Sequence, residues 1–506
     1  MGHRNHRSGR IFRPETSCFG ALWLGPAVLP AAGELKDRGR EPITPGERVR
    51  YNVEVRNRAA LIQNREETLE LLRAEAGGRR SRLPGARVPP FGGRCKLRGG
   101  WMSGYDVVVV GSGISGLSLA HRAALEGRKV LVLERRERIG GCLHSCRHPD
   151  GHWYEMGAHT VYNSYGRLLD IVVAAGLADR LVRRGPARAR FGLLKDGRVD
   201  WLTPPRVLLK LNWLEVALRG PVGIFRGKEG RTVEEYYSGL VGKGNFRRVL
   251  SPFFAAVPSQ RADAFPVSGP GSLFKKRPRR EEFPRSFGLP GGLGEICAAI
   301  AAHDKIEVRT GTGVAALHRA GDGFVICTDG GEEIETRIPV LAATHRESAR
   351  LLRDLAPELS AAVAAIGEVA VESFGVRIRR GRCWMPECAF VVPVDDVFFS
   401  VVTRDPFPDP DWRAFAFHFR QGLDREEKIA RISDLLKLSP GDLEDPAEER
   451  TLLPSPRVGH DRVVGGIDRR LAGLPLGLTG NYFQGLAIED CIARSESEWE
   501  RLKARG

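Results

Sequence analysis

Residues 105–141, YDVVVVGSGISGLSLAHRAALEGRKVLVLERRERIGG, set out strand, glycine turn, helix and second strand without slack, and few folds accept that order. The apolar, β-branched run at 105–110 has the character of a strand buried on both faces. It ends in Gly111-Ser112-Gly113-Ile114-Ser115-Gly116. Missing side chains there permit a tight turn, approach of backbone N–H groups to a pyrophosphate, and close packing of the next helix on the strand. A helix over 115–126 then presents its positive end to the phosphates. Gly127 stops it, and a second buried strand at 129–133 runs into Glu134, twenty-three residues after Gly111. A carboxylate at that point is placed to accept both hydroxyls of an adenosine ribose.

The residues after Glu134 bear on which dinucleotide is held. Arg135 is succeeded by Ile139-Gly140-Gly141, and a glycine pair here resembles the flavoprotein pattern, in which backbone amides continue along the pyrophosphate of FAD. NAD dehydrogenases do not usually carry it. The resemblance implies FAD and an α/β, glutathione-reductase-like Rossmann domain; without it, the pair is an ordinary turn.

At 506 residues the chain has room for two or three domains. Its formal charge is +16, but residues 1–101 hold 20 Lys and Arg against 10 Asp and Glu, so most of the excess precedes the first strand. The balance over the rest does not point to nucleic acid. Residues 1–101 are expected to be disordered or upstream sequence, with Met102 as the natural start. A signal peptide built on 19–32 is short and interrupted by two prolines, and 63–76 has the pattern of a short helix. Nine cysteines without metal-ligand spacing suit reduced structural thiols, so no metal is expected. The stretch 206–219, RVLLKLNWLEVALR, has a nearly all-apolar helical pattern with Arg206, Lys210 and Arg219 among it. Core packing is its first reading; a membrane surface or the wall of an apolar pocket also fits.

Further along, YEMGAH at 154–159 closes the first nucleotide-binding stretch. A Glu-x-Gly segment here resembles the flavoprotein element that brings backbone under the isoalloxazine. His159 is the one candidate for acid-base work, although no acidic partner is visible for it. Residues 166–284 switch to helical segments with basic and aromatic residues, as an inserted domain would. The chain returns through LPGGL at 289–293 and a helix to about 303, with strands expected at 306–310, 314–319, 323–328 and 339–344. Flavoenzymes of this kind receive adenine on backbone like that of Val314. A second inserted segment covers 367–448, where aromatic runs alternate as strands. At 478–493 a strand, a glycine turn and a helix start imply a positive helix end at the flavin N1 and C2 carbonyl, carried by Gly480, Asn481, Gly485, Leu486 and Ile488.

LPSPRVGH at 453–460 together with GNYFQGLAIEDCI at 480–492 resembles the end of oxygen-dependent protoporphyrinogen oxidases, within the FAD-dependent amine oxidase superfamily. The glycine motif, the Gly140-Gly141 pair and LPGGL agree, so the resemblance spans about 105–495; only the C-terminal pair is specific. It implies an oxidase that dehydrogenates a porphyrinogen with O2 in haem biosynthesis. Non-covalent FAD is implied too, because the cysteine setting for covalent flavin attachment is missing. The implied layout is an FAD-binding domain from 102–165, 285–345 and 450–506, with an α+β substrate domain from 166–284 and 346–449. Arg206, Lys210 and the 275–280 cluster are candidate partners for propionates. A cytoplasmic protein with peripheral contact on the inner face of a membrane is expected; its oligomeric state is open. Two departures stand. Cys142 replaces a usual Arg or Lys, and Gly157-Ala158-His159 is similar to UDP-galactopyranose mutases, leaving open a mutase, another amine oxidase or desaturase, or an FAD-bound scaffold without turnover.

Overall fold

The computed structural model describes residues 104–223 and 225–504. The expectations for 1–101, Met102, the 19–32 signal and the 63–76 helix lie outside the described residues. Val107–Val110 is the centre of a five-stranded parallel sheet, with Val130–Leu133 and then Ile306–Arg309 on one side, and Ile338–Leu341 and then Gly477–Leu478 on the other. Its residues alternate between two cores. Val107, Val109, Val130, Val132 and Val340 face one; Val108, Val110, Leu131, Leu133 and Leu341 face the other. Burial on both faces is why these strands are continuous apolar runs in the sequence.

The first face is covered by Ile114–Leu125, Gly166–Ala174, Gly294–Ala301 and the C-terminal helix Ile488–Lys503. The other is covered by an antiparallel three-stranded sheet, Val314–Ala320, Gly323–Thr328 and Glu333–Thr336, with the helices His345–Leu352, Pro357–Ala364 and His460–Leu471. A seven-stranded sheet contributes to two further cores: Glu444–Pro454, Glu368–Arg379, Trp412–Phe419, Phe398–Thr403, Phe390–Pro393, Phe191–Lys195 and Arg198–Leu202, in that order. All neighbours in it are antiparallel except Phe390–Pro393 and Phe191–Lys195.

Packing departs from the expected division at three places. Helices Gly166–Ala174, His345–Leu352 and Pro357–Ala364, expected in the substrate part, bury their apolar faces on the nucleotide-binding sheet. Strand Glu444–Pro454, whose last five residues are expected in the FAD-binding part, pairs along Glu368–Arg379 in the seven-stranded sheet. The helices follow one rule, that an amphipathic face joins the core it covers whichever segment of the chain it arrives on, and the strand follows the hydrogen-bonding edge that Glu368–Arg379 offers it.

The stretch 206–219 also differs from expectation. It is not one helix but Pro204–Val207, a tight turn at Leu208–Lys210, and a second helix Trp213–Gly223. Only part of it, including Val207 and Leu211, is buried; Leu209, Trp213, Leu214 and Leu218 are exposed. Core packing is therefore not its main use.

Candidate active site

The glycine turn at 111–116 sits at the C-terminal end of the central strand, where ligands collect in open parallel sheets. Two of its glycines have a steric reason within the protein and the third does not. A Cβ on Gly111, whose φ is +109°, would lie 2.8 Å from Ala342 O, and one on Gly116 would lie 2.0 Å from Gly111 O. One on Gly113 would meet nothing within 4 Å. The helix Ile114–Leu125 begins at Gly113 with no side-chain cap and no acid in its first turn, and Ser115 is buried in that turn. Its positive end is thus left for an exogenous anion.

Gly140 N–H donates to Ser112 O at 2.9 Å, and a Cβ on Gly141 would lie 3.1 Å from Gly113 Cα. The second glycine pair is therefore docked on the first turn; a side chain at 141 would press on Gly113, and one at 140, whose φ is +98°, would lie 2.6 Å from Leu143 O. Glu134 closes the same corner. Its Oε2 accepts from Ser112 N at 2.9 Å and Ser112 Oγ at 2.6 Å, and its Oε1 accepts from Arg136 N at 3.0 Å. Thr312 N donates to Glu134 O at 2.8 Å, which carries Gly313 and Val314 beside Arg135. Two of the expected ligands are already engaged. Arg135 pairs with Glu347, and Val314 O accepts from Arg350 Nη2 at 2.5 Å, which occupies one of the two lone pairs of that carbonyl.

The C-terminal segment arrives at the same turn. Ser495 Oγ donates to Ser115 O at 2.8 Å, holding Ile488–Lys503 against the first helix. The loop before it is fixed on several sides: Gly480 packs on the Tyr482 ring, and Gln484 O accepts from Gly271 N at 2.7 Å and Lys275 Nζ at 2.6 Å. Gly485 has φ +154° and sits against Asp490, while Asn481 and Leu486 are half-buried and Ile488 is buried. His460 Nε2–H donates to Phe483 O at 3.0 Å, so the two halves of the C-terminal sequence pair touch.

Lys275 and Arg277 both pair with the buried Asp490, at 3.1 and 2.8 Å. Lys210 pairs with Asp200 at 2.7 Å, and Arg280 with Asp170 at 2.6 Å. The cations named as propionate partners are accordingly occupied, apart from Arg206, Lys276 and Arg279, which lie on the surface.

His159 does have a partner. Its Nε2 lies 2.7 Å from His418 Nε2, and His418 Nδ1 lies 2.9 Å from Ser373 Oγ. Burial, then the charge of His418, holds His159 well below its ordinary pKa, and burial brings His418 down to about 4. Both rings are neutral at pH 7, so one donates Nε2–H to the other. Ala158 N donates to Cys142 O at 2.9 Å, which joins this relay to the second glycine turn. His159 also lines a small, partly open cleft with Trp153, Glu155, Arg184, Arg404 and Phe407. No sequence signal ties residue 159 to 418, since His159 stands in the loop before Val161–Tyr162 and His418 on the strand Trp412–Phe419, 259 residues away.

Glu155 has a role that the sequence reading missed. It accepts from Leu293 N at 2.7 Å and Ser145 Oγ at 2.9 Å, and Gly294 N donates to Ser145 Oγ at 3.0 Å. Together they hold the LPGGL turn, where a Cβ on Gly292 would strike Ser145 Oγ. Burial pushes the Glu155 carboxyl up to about 7. The folded protein then binds this proton more tightly than the unfolded chain, whose glutamate titrates near ~4.3. Its contribution to stability is expected to fall as pH rises from about 4.3 to about 7. Urea midpoints measured across that window should fall more steeply for wild type than for Glu155→Gln, and parallel profiles would show that this carboxyl does not titrate there.

A glycine turn on a parallel strand, a second turn docked on it and a C-terminal helix closing the same corner define a Rossmann flavoprotein of glutathione-reductase type, with a separate substrate sheet. The chain belongs to the family of flavin containing amine oxidoreductases, whose sequence profile matches residues 114–380. A 15-cis-phytoene desaturase from Narcissus pseudonarcissus is 40% identical over 78 residues, 15% of this chain and 14% of that protein. The chain thus matches about a seventh of the length of that curated relative. A solved structure from Exiguobacterium sp. 255-15, provisionally named a protoporphyrinogen oxidase, has a TM-score of 0.65 at 20% identity, over 80% of this chain and all of that one. Reduced UDP-galactopyranose mutase has a TM-score of 0.58 at 14% identity, over 79% of this chain and 96% of that one. At such identities the two structures share the fold.

Proposed function

We propose that this protein is an FAD-dependent oxidase that dehydrogenates a porphyrinogen to the porphyrin with O2 as acceptor, holding FAD without a covalent bond. The observation that carries this reading is the C-terminal pair, LPSPRVGH and GNYFQGLAIEDCI, joined in space by His460 and Phe483. The uncapped helix at Gly113 and the docked Gly140-Gly141 turn suit a pyrophosphate, and Glu134 suits a ribose. A flavin held there would supply a hydride acceptor and the route of the electrons to O2.

Over three rounds the reaction removes four hydrogens from the bridging carbons and two from the ring nitrogens, three of the six as hydride and three as protons, so each round releases one proton. His159 is suited to take that proton. With its Nε2–H donated to His418, its Nδ1 keeps a lone pair, and His418 Nδ1–H is donated to Ser373. Burial keeps both rings neutral, which leaves the Nδ1 lone pair free and makes the ring a weak base.

The test is to purify the full chain, record its visible spectrum, and add anaerobically prepared protoporphyrinogen in air while following Soret absorbance and peroxide. A flavin spectrum with porphyrin and peroxide rising together is expected, and a colourless protein would overturn the FAD reading. His159→Gln is expected to lower kcat about 100-fold at unchanged flavin content; an unchanged kcat removes His159 from proton transfer. Flavin without porphyrin formation would favour a desaturase acting on another apolar substrate, the reading supported by the 78-residue match.

A further inference from the structure

The segment 204–228 gathers large apolar side chains on the surface: Leu209 is 79% exposed, Trp213 51%, Leu214 69%, Leu218 71% and Phe225 90%. On the helix Trp213–Gly223, positions 213, 214, 217, 218 and 221 share one face at helical spacing, and Trp, Leu, Ala, Leu and Pro there are all exposed. The face is held outward. Glu215, on the inner side, accepts from Gly244 N at 2.9 Å and Asn245 N at 3.2 Å, and Asn245 Nδ2 donates to Asn212 O at 2.9 Å. A Cβ on Gly223 would lie 2.4 Å from Gly239 O, so this end of the helix is seated closely on its neighbour Val233–Val241. Trp213 Nε1–H donates to Leu208 O at 3.0 Å, which satisfies its one polar atom.

Cations surround the patch. Arg206, Lys210, Arg219, Arg226 and Lys228 are exposed on its flanks, against the exposed acids Asp200, which pairs with Lys210, and Glu229. We propose that this face docks the protein on an anionic lipid bilayer, with Trp213, Leu214, Leu218 and Phe225 entering the interface and the flanking cations meeting headgroup phosphates. Aliphatic and aromatic side chains on one face with Lys and Arg beside them are what such a boundary recognises. A second copy of the chain fits less well, because a two-fold contact through this face would set its cations against their equivalents. Among the described residues no helix is long and apolar enough to cross a membrane, so attachment through this face is peripheral.

The test is co-sedimentation of the full chain with phosphatidylcholine vesicles containing or lacking phosphatidylglycerol. Wild type is expected to bind the anionic vesicles and to be released by salt. The triple variant Leu214→Ser, Leu218→Ser, Phe225→Ser is expected to bind at least about tenfold more weakly. Because these side chains support no core, its thermal midpoint should match wild type, which shows that the fold is retained. Wild type remaining in the supernatant, or the variant binding as well as wild type, would overturn the proposal. A dimer in size exclusion that the variant abolishes, with neither protein captured by vesicles, would overturn it in favour of contact between copies.

Discussion

A Gly113→Ala protein is expected to fold with wild-type stability and to lose its flavin, whereas Gly116→Ala is expected to lose the native fold. The two glycines stand three residues apart in one motif and do different work. At Gly113 the backbone is extended, with φ −66° and ψ 169°, which alanine adopts freely, and its Cβ would enter open space. Stability should change by no more than about 0.5 kcal/mol. That space is where a phosphate would approach the uncapped helix, so the methyl group should lower flavin affinity at least about tenfold. At Gly116 the Cβ would lie 2.0 Å from Gly111 O and 3.1 Å from Ala342 Cβ. Neither neighbour can yield without parting the helix from the sheet, and overpacking of this kind costs about 3 kcal/mol or more. Urea unfolding together with visible absorbance per protein separates the two effects. A Gly113→Ala protein that purified with a full complement of flavin would remove this turn from the cofactor site.

Asp405→Ala is expected to cost about 3–5 kcal/mol. Arg413 and Asp405 are both nearly inaccessible, their side chains 4% and 1% exposed, and Arg413 Nε donates to Asp405 Oδ1 at 2.8 Å. Arg413 also donates to Met385 O at 2.5 Å, and Cys388 N donates to Asp405 at 3.0 Å. Removing the carboxylate leaves a guanidinium buried without its counter-charge, a larger penalty than the pair's own net worth. The double variant Asp405→Leu, Arg413→Met should therefore be less destabilised than the single one. Equal urea midpoints for Asp405→Ala and wild type would show that water reaches this site. Arg404 and Phe407, in the cleft beside His159, flank Asp405, so turnover should fall along with stability.

The parts of this fold legible in the sequence share a property. Strands 107–110 and 130–133, the glycines between them and Glu134 depend on neighbours within about thirty residues, and their periodicity and spacing carry the physics directly. Strand Trp412–Phe419 is visible in the same way, because all eight residues are buried. Strand Glu444–Pro454 is not. Its sequence, EDPAEERTLLP, is charged and only Pro454 in it is buried, and it is a strand because Glu368–Arg379 offers it a hydrogen-bonding edge. The stretch 206–219 shows the converse. Its apolar content is plain, but the direction of its apolar face is decided by Glu215 capping 244–245 and by the close seat of Gly223 on Gly239.

The sequence by itself determined the dinucleotide-binding unit, the second glycine turn and the C-terminal pair, because each is a local pattern whose residue types and spacing carry its chemistry. Only the tertiary structure decided that His159 meets His418, that Glu155 holds the 289–294 turn, that Lys275 is committed to Asp490, and which face of the 213–223 helix meets solvent. These are encounters between segments tens to hundreds of residues apart, set by how sheets and helices bury their faces against one another, and no local pattern records them.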